Sequence, residues 1–195
     1  MSAEIYLLRH GETEWNLDGR LQGRQDSGLT EFGRRQAQQL GDLLAAHFPD
    51  GKLPPFQVSP LGRAQQTANL LRARFPDLPA PYLIEPRLVE VSFGDWEGQS
   101  FDDIEDEWDD LIDNYDDLDW LFEAPNGEGY DQAVARVDSW LADQHGKLIA
   151  VTHGLTAQII CSRYLGLARA DVSAFTVEHG VIYHLHDGKI DTIRG

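Results

Sequence analysis

The chain has 195 residues, 42% of them hydrophobic and 25% charged, with one cysteine and a formal net charge of −17. This length supports one good core and predicts a single domain over residues 1–195; the composition excludes a disordered chain, and no apolar run reaches the length of a membrane span. A surface this acidic disfavours nucleic acid and anionic membranes as partners, and the lone Cys161 excludes an internal disulfide.

In chain order, the first predicted element is a strand over 4–8 (EIYLL), preceded by no basic or long apolar leader, which leads us to expect a cytoplasmic protein. It runs directly into Arg9-His10-Gly11-Glu12. Thr30 opens a helix, TEFGRRQAQQLGDLLAAHF, with Ala37, Leu40, Leu43, Leu44 and Phe48 on one face. A strand at 56–59 (FQVS) leads into a helix over 61–75, and a further strand follows at 82–85 (YLIE). The stretch RLVEVSFGDWEG (87–98) places Glu90 just after a short apolar step.

The segment 101–123 has its own character. Phe101, Ile104, Trp108, Leu111, Ile112, Tyr115, Leu118 and Phe122 fall at helical spacing, and residues 102–123 carry twelve acids and no base. It reads either as a helical lid over a site or as a solvated surface helix. Residues 1–87 balance ten Lys/Arg against ten Asp/Glu, whereas 88–195 hold six against 23, so the second half carries the whole net charge. Helices at 131–144 and 155–166 flank a strand at 148–152. The last two strands, 181–186 and 189–193, pair as a hairpin around Asp187-Gly188. Strands alternating with helices predict an α/β fold: a three-layer α/β/α sandwich on a mostly parallel sheet, with 101–123 as a helical lid insertion.

Three segments repeat one pattern of apolar strand, polar residues and helix: LLRHGE, VSPLGRAQQT and VTHG. Ligands of open α/β sheets bind at the carboxyl ends of the strands. If those ends share one crevice with Glu90, then Arg9, His10, Arg63, Glu90 and His153 converge there. This set suits phosphoryl transfer. Two guanidinium groups bind phosphate oxygens in pairs, a neutral imidazole attacks phosphorus, and a carboxyl group protonates the leaving oxygen. Gly11 would let the backbone approach the phosphate. The arginines supply the positive charge, so the chemistry needs no metal and no cofactor. His184 and His186 share a strand face, but without a third ligand at convincing spacing they read as hairpin residues. Trp96, Trp108, Trp120 and Trp140 read as core and lid packing, and Cys161 as a buried, inert thiol.

LLRHGETEWN, SPLGRAQQTA, EVSFGDWEG and VTHG, in this order, resemble the four signature segments of the histidine phosphatase superfamily, the phosphoglycerate-mutase-like group. The resemblance runs from Ile5 to about residue 165. It implies that His10 becomes phosphorylated, that Arg9, Arg63 and His153 complete the phosphate pocket, and that Glu90 is the proton donor. Asn16, Gln22, Gly23 and Gly154 then follow as further substrate contacts.

The departures fall on substrate identity. Arg24 stands where the family often has an aromatic residue, Gly28 where it has proline, Val89 where it has arginine before the acid, and Ala157-Gln158 where an Ile-Arg pair is common. Only 62 residues separate Glu90 from His153, and 88–135 contain no Lys or Arg, which leaves little to hold a second phosphate. The expected activity is hydrolysis of a small-molecule phosphate ester. The alternatives are a mutase-type phosphotransferase and a phospholigand-binding scaffold with weak catalysis. Oligomeric state is not written in these patterns.

Overall fold

The computed structural model describes residues 3–78, 82–112, 119–169, 172 and 175–195. Among them six strands form one sheet, in the order β3-β2-β4-β1-β5-β6. β1 (Glu4–Arg9), β2 (Phe56–Val58), β3 (Leu83–Ile84) and β4 (Lys147–Thr152) run parallel. β5 (Ile182–His186) and β6 (Lys189–Ile193) add an antiparallel hairpin at the β1 edge. Its turn is Asp187-Gly188, with φ of 48° and 71°, the left-handed pair that matches strand twist in a two-residue hairpin.

Successive side chains of β1 point to opposite faces, and both faces are dry. Ile5 and Leu7, with Leu148, Ala150 and Leu185, pack against α5 (Tyr130–Ala142) and α6 (Gly154–Leu165) through Val137, Trp140, Ile159 and Cys161. Tyr6 and Leu8, with Phe56, Val58, Ile149 and Val151, pack against α2 (Glu31–His47) and α3 (Gly62–Arg72) through Leu40, Leu44, Ala68 and Leu71. This is the expected three-layer sandwich. The Thr30 hydroxyl caps α2 by accepting from the Gly33 amide at 2.9 Å. Gly166, at φ 68°, ends α6 in the left-handed conformation.

The acid-rich segment forms α4 (Phe101–Ile112) and a 3-10 turn at Asp119–Glu123; Tyr115 and Leu118 lie outside the described residues. Ile104, Trp120, Leu121 and Phe122 join the core on the α5/α6 side, while Asp102, Asp103, Glu105 and Asp106 face water. Trp96 is the pivot of that packing, with ring centroids 5.8 Å from Trp108 and 5.5 Å from Trp120. The sequence pattern did not show the four-residue α1 (Glu14–Leu17) or the 3-10 turns at Pro86–Leu88 and Gly94–Trp96. The expected strand over 82–85 shrinks to two exposed edge residues. No helix among the described residues is long and apolar enough to cross a membrane.

Candidate active site

Parallel pairing of β1 with β4 sets Arg9 opposite Thr152, so His10 and His153 leave the sheet side by side; the His10 amide donates to the Thr152 carbonyl at 3.0 Å. β2 flanks β4 on its other side and delivers Ser59, whose Oγ lies 2.7 Å from His153 Nε2. The two imidazole centroids are 5.2 Å apart.

His10 is 2% exposed. Its Nδ1–H donates to the Gly11 carbonyl at 2.8 Å, which leaves the Nε2 lone pair facing the Nε–H of Arg63 at 3.2 Å. Burial first, then the charges of Arg63, His153, Arg9 and His179, holds its pKa well below the ordinary histidine value. His153 is depressed in the same way, by burial and then by Arg63 and Arg9. The ring of His10 is therefore neutral at neutral pH, held in one orientation by the Gly11 carbonyl.

Arg63 sits in the first turn of α3, 1% exposed, with most of its donors spent. Nη1 donates to the Gln25 carbonyl at 2.6 Å and to Asp26 at 2.9 Å, and Nη2 donates to the Gly23 carbonyl at 2.8 Å. Asp26 also accepts from the amides of Gly62 and Arg63, so the carboxylate ties the arginine to the start of its own helix. Arg9 contrasts with this. Its Nη1 donates to the Val177 carbonyl at 2.9 Å, its buried Nε has no partner, and no carboxylate lies within ion-pair distance of it among the described residues.

Glu90 is buried at the N-terminus of α6. Its Oε1 accepts from the amides of Val91 (3.0 Å) and Thr156 (2.9 Å) and lies 3.0 Å from the Thr156 hydroxyl; Oε2 accepts only from the Leu155 amide at 3.2 Å. The carboxyl group is thus fixed by a helix start rather than by an arginine. Arg87 is bound instead to Glu85 at 2.8 Å and Asp143 at 2.6 Å.

Arg9, His10, Arg63 and Glu90 line one cavity of about 230 Å³, with Asn16, Gln22, Gly23 and Gly154 in its wall. His153 lies behind His10, fully buried. Asn16 Oδ1 accepts from the Thr13 amide in the cap of α1, so only its amide nitrogen is open to a ligand. Gln22 donates to Thr13 Oγ1 at 2.7 Å and accepts from Ser27 at 3.1 Å, which makes it chiefly a brace. Gly23, at φ 50°, has no room for a side chain beside Glu97. A Cβ on Gly154 would come within 3.2 Å of Arg9 Cζ, so glycine there lets the arginine lie on the helix start. Gly11 does not line the cavity. Its amide donates to Thr67 at 3.0 Å, and a Cβ would collide with the Gly33 carbonyl; glycine is required there by the contact with α2.

Four neighbours escaped the sequence reading: Ser59, Asp26, Thr156 and His179. His179 lies with its ring centroid 5.4 Å from His10 and its Nδ1 2.6 Å from the His10 carbonyl. Ser59 was legible as the residue ending an apolar strand; His179 lies in a loop with no such signal. His184 Nε2 bonds Glu4 at 3.0 Å with its ring stacked on Tyr6, and His186 Nε2 bonds Asp191 at 2.8 Å. Among the described residues no group of three His, Cys, Asp or Glu side chains is disposed to hold a metal. Burial pushes the Cys161 thiol up to about 12.

The sequence profile of the histidine phosphatase superfamily (branch 1) matches residues 5–189, and the chain belongs to that superfamily. The adenosylcobalamin/alpha-ribazole phosphatase of Escherichia coli (strain K12) is 33% identical over 182 residues, covering 90% of this chain and 86% of its own. The protein named "Probable phosphoglycerate mutase GpmB" from Enterobacter sp. (strain 638) is 31% identical over 173 residues, covering 84% and 75%. Among solved structures, the alpha-ribazole phosphatase from Shigella flexneri superposes with a TM-score of 0.81 at 28% identity, covering 98% of this chain and 96% of that one.

Proposed function

We propose that the protein hydrolyses small phosphate monoesters through a phosphohistidine at His10. The observation that carries this reading is the pairing of a neutral His10 Nε2 with Arg9, a partly exposed guanidinium in the cavity wall that has no carboxylate within ion-pair distance among the described residues and a buried Nε–H without a partner. A phosphate dianion supplies both the acceptor and the charge that this group is missing. His10 Nε2 attacks phosphorus while the P–O bond to the alcohol breaks. Glu90 is the general acid that gives a proton to the leaving oxygen, through Oε2, the less encumbered atom. Arg9 and Arg63 answer the charge on the equatorial oxygens, and His153, packed behind His10 and not in the cavity wall, supports the His10 ring rather than the phosphate. In the second half Glu90 takes a proton from water, the water oxygen attacks phosphorus, and the bond to Nε2 breaks.

The likeness to alpha-ribazole phosphatases supports hydrolysis. A mutase-type phosphotransfer is the second reading. It draws on the GpmB-like relative and on Arg20, a further cation in the cavity wall. Phosphate release from a panel of alkyl monophosphates in EDTA, run beside 3-phosphoglycerate, separates the two. Hydrolysis predicts free phosphate from the panel; a mutase predicts isomerised phosphoglycerate with little free phosphate.

A further inference from the structure

We infer that α4 and the turn after it build an apolar subsite for the alcohol half of the ester, so that the preferred substrate is a monophosphate of an uncharged, ring-bearing alcohol. The inference rests on the phosphatase reading of the same cavity. Arg9, Arg63 and, at the rim, the exposed Arg20 supply its cationic part, while Phe93, Phe101, Leu121 and Leu155 supply an apolar wall. Phe93 and Leu121 are almost completely buried and form fixed surfaces, 5% and 6% exposed. Phe101 is different: 43% of it meets solvent, and its ring stands edge-on to Trp120 at 6.1 Å. It is a half-open aromatic face braced from behind at the cavity wall, the arrangement that receives a flat apolar group.

Charge points the same way. Glu90 is the only acid lining the cavity among the described residues; the described acids of α4 lie elsewhere, with Asp102, Asp103, Glu105 and Asp106 exposed. The segment therefore offers the cavity hydrocarbon and brings it no cation for a second anion on the substrate. Arg20 is partly answered already: its Nη1 donates to the Gly98 carbonyl at 2.8 Å, and Asp103, held below the usual carboxylate range chiefly by hydrogen bonds from Ser100, also feels its charge.

The test compares three esters of primary alcohols: 2-phenylethyl phosphate, ethyl phosphate and 3-phosphoglycerate. The expected kcat/KM for phenylethyl phosphate exceeds that for ethyl phosphate by about tenfold, the scale on which hydrophobic pockets discriminate, with phosphoglycerate lowest. Phe101→Ala, at a half-exposed position and with thermal melting used to check that the fold is kept, should remove most of that ratio, and Phe101→Leu should restore part of it. Equal kcat/KM for the two neutral esters overturns the subsite. So does a preference for phosphoglycerate that Arg20→Ala abolishes. Binding of 2-phenylethylphosphonate and ethylphosphonate by calorimetry separates the two layers of the argument. If no ester is hydrolysed yet the phenyl compound binds about tenfold tighter, hydrolysis is refuted and the subsite stands; if both compounds bind equally, the subsite is refuted.

Discussion

Arg9 and Arg63 carry the same charge to the same cavity but are held differently. Arg63 is neutralised by Asp26 and braced by two carbonyls, whereas Arg9 has one carbonyl and an idle buried Nε. Arg9 is partly exposed at the cavity wall, so its charge is partly solvated, but a buried N–H without a partner still costs about 1–3 kcal/mol. Arg9→Met should therefore raise the melting temperature while lowering kcat/KM on every ester by about a hundredfold or more. A lower melting temperature would mean that Arg9 is structural. Glu90 makes the opposite kind of claim, since its role depends on the leaving group. Glu90→Gln should lower kcat by about a hundredfold to ten-thousandfold on alkyl phosphates and much less on p-nitrophenyl phosphate, whose anion leaves unprotonated. Equal losses on both would leave Glu90 as no more than the cap of α6.

At the scale of elements, what the sequence showed and what it hid divide along one line. The amphipathic pattern of α2, the apolar run of β1 and β4, and the Asp187-Gly188 turn are local, and each was legible with small boundary errors. The strand order is not local. Nothing within FQVS says that Ser59 will stand beside His153, nor does SGLT say that Asp26 just before it will hold Arg63. α1 spans a single turn, too short to display a period, and is fixed by the reciprocal Thr13–Asn16 cap. Gly11 is a point of close approach, as expected of a glycine there, but the neighbour is the backbone of α2 and not the cavity. Gly33 is the other half of that contact, and a Cβ on it would drive into the Glu12 carbonyl. Gly33→Ala should then force the end of β1 away from α2 and cost about 1–3 kcal/mol, a fall of roughly 2–12 °C in melting temperature for a chain of this size. An unchanged melt would show that the two elements separate freely.

For the whole molecule, three histidines packed at the site are held below the ordinary value mainly by burial: His10 and His153 strongly, and His179 down to about 4. The unfolded chain therefore binds more protons than the folded one once the pH drops below about 6.5. Stability from these groups is intact above that pH and falls as it moves from about 6.5 towards 4. Self-repulsion from the net charge of −17 acts in the opposite sense, easing as carboxylates are protonated. The two are separated by His179→Asn, which should flatten the decline between pH 6.5 and 4 relative to the parent. Identical pH profiles would show that His179 does not contribute.

Passage of phosphate through His10 Nε2 is open to a direct test by rapid acid-free quenching with phosphorus-labelled ester. An acid-labile, base-stable label is expected on the parent protein, at His10 by peptide mapping, and none on a folded His10→Ala variant. Label retained by that variant, or turnover of the parent with no protein-bound label under single-turnover conditions, would contradict it.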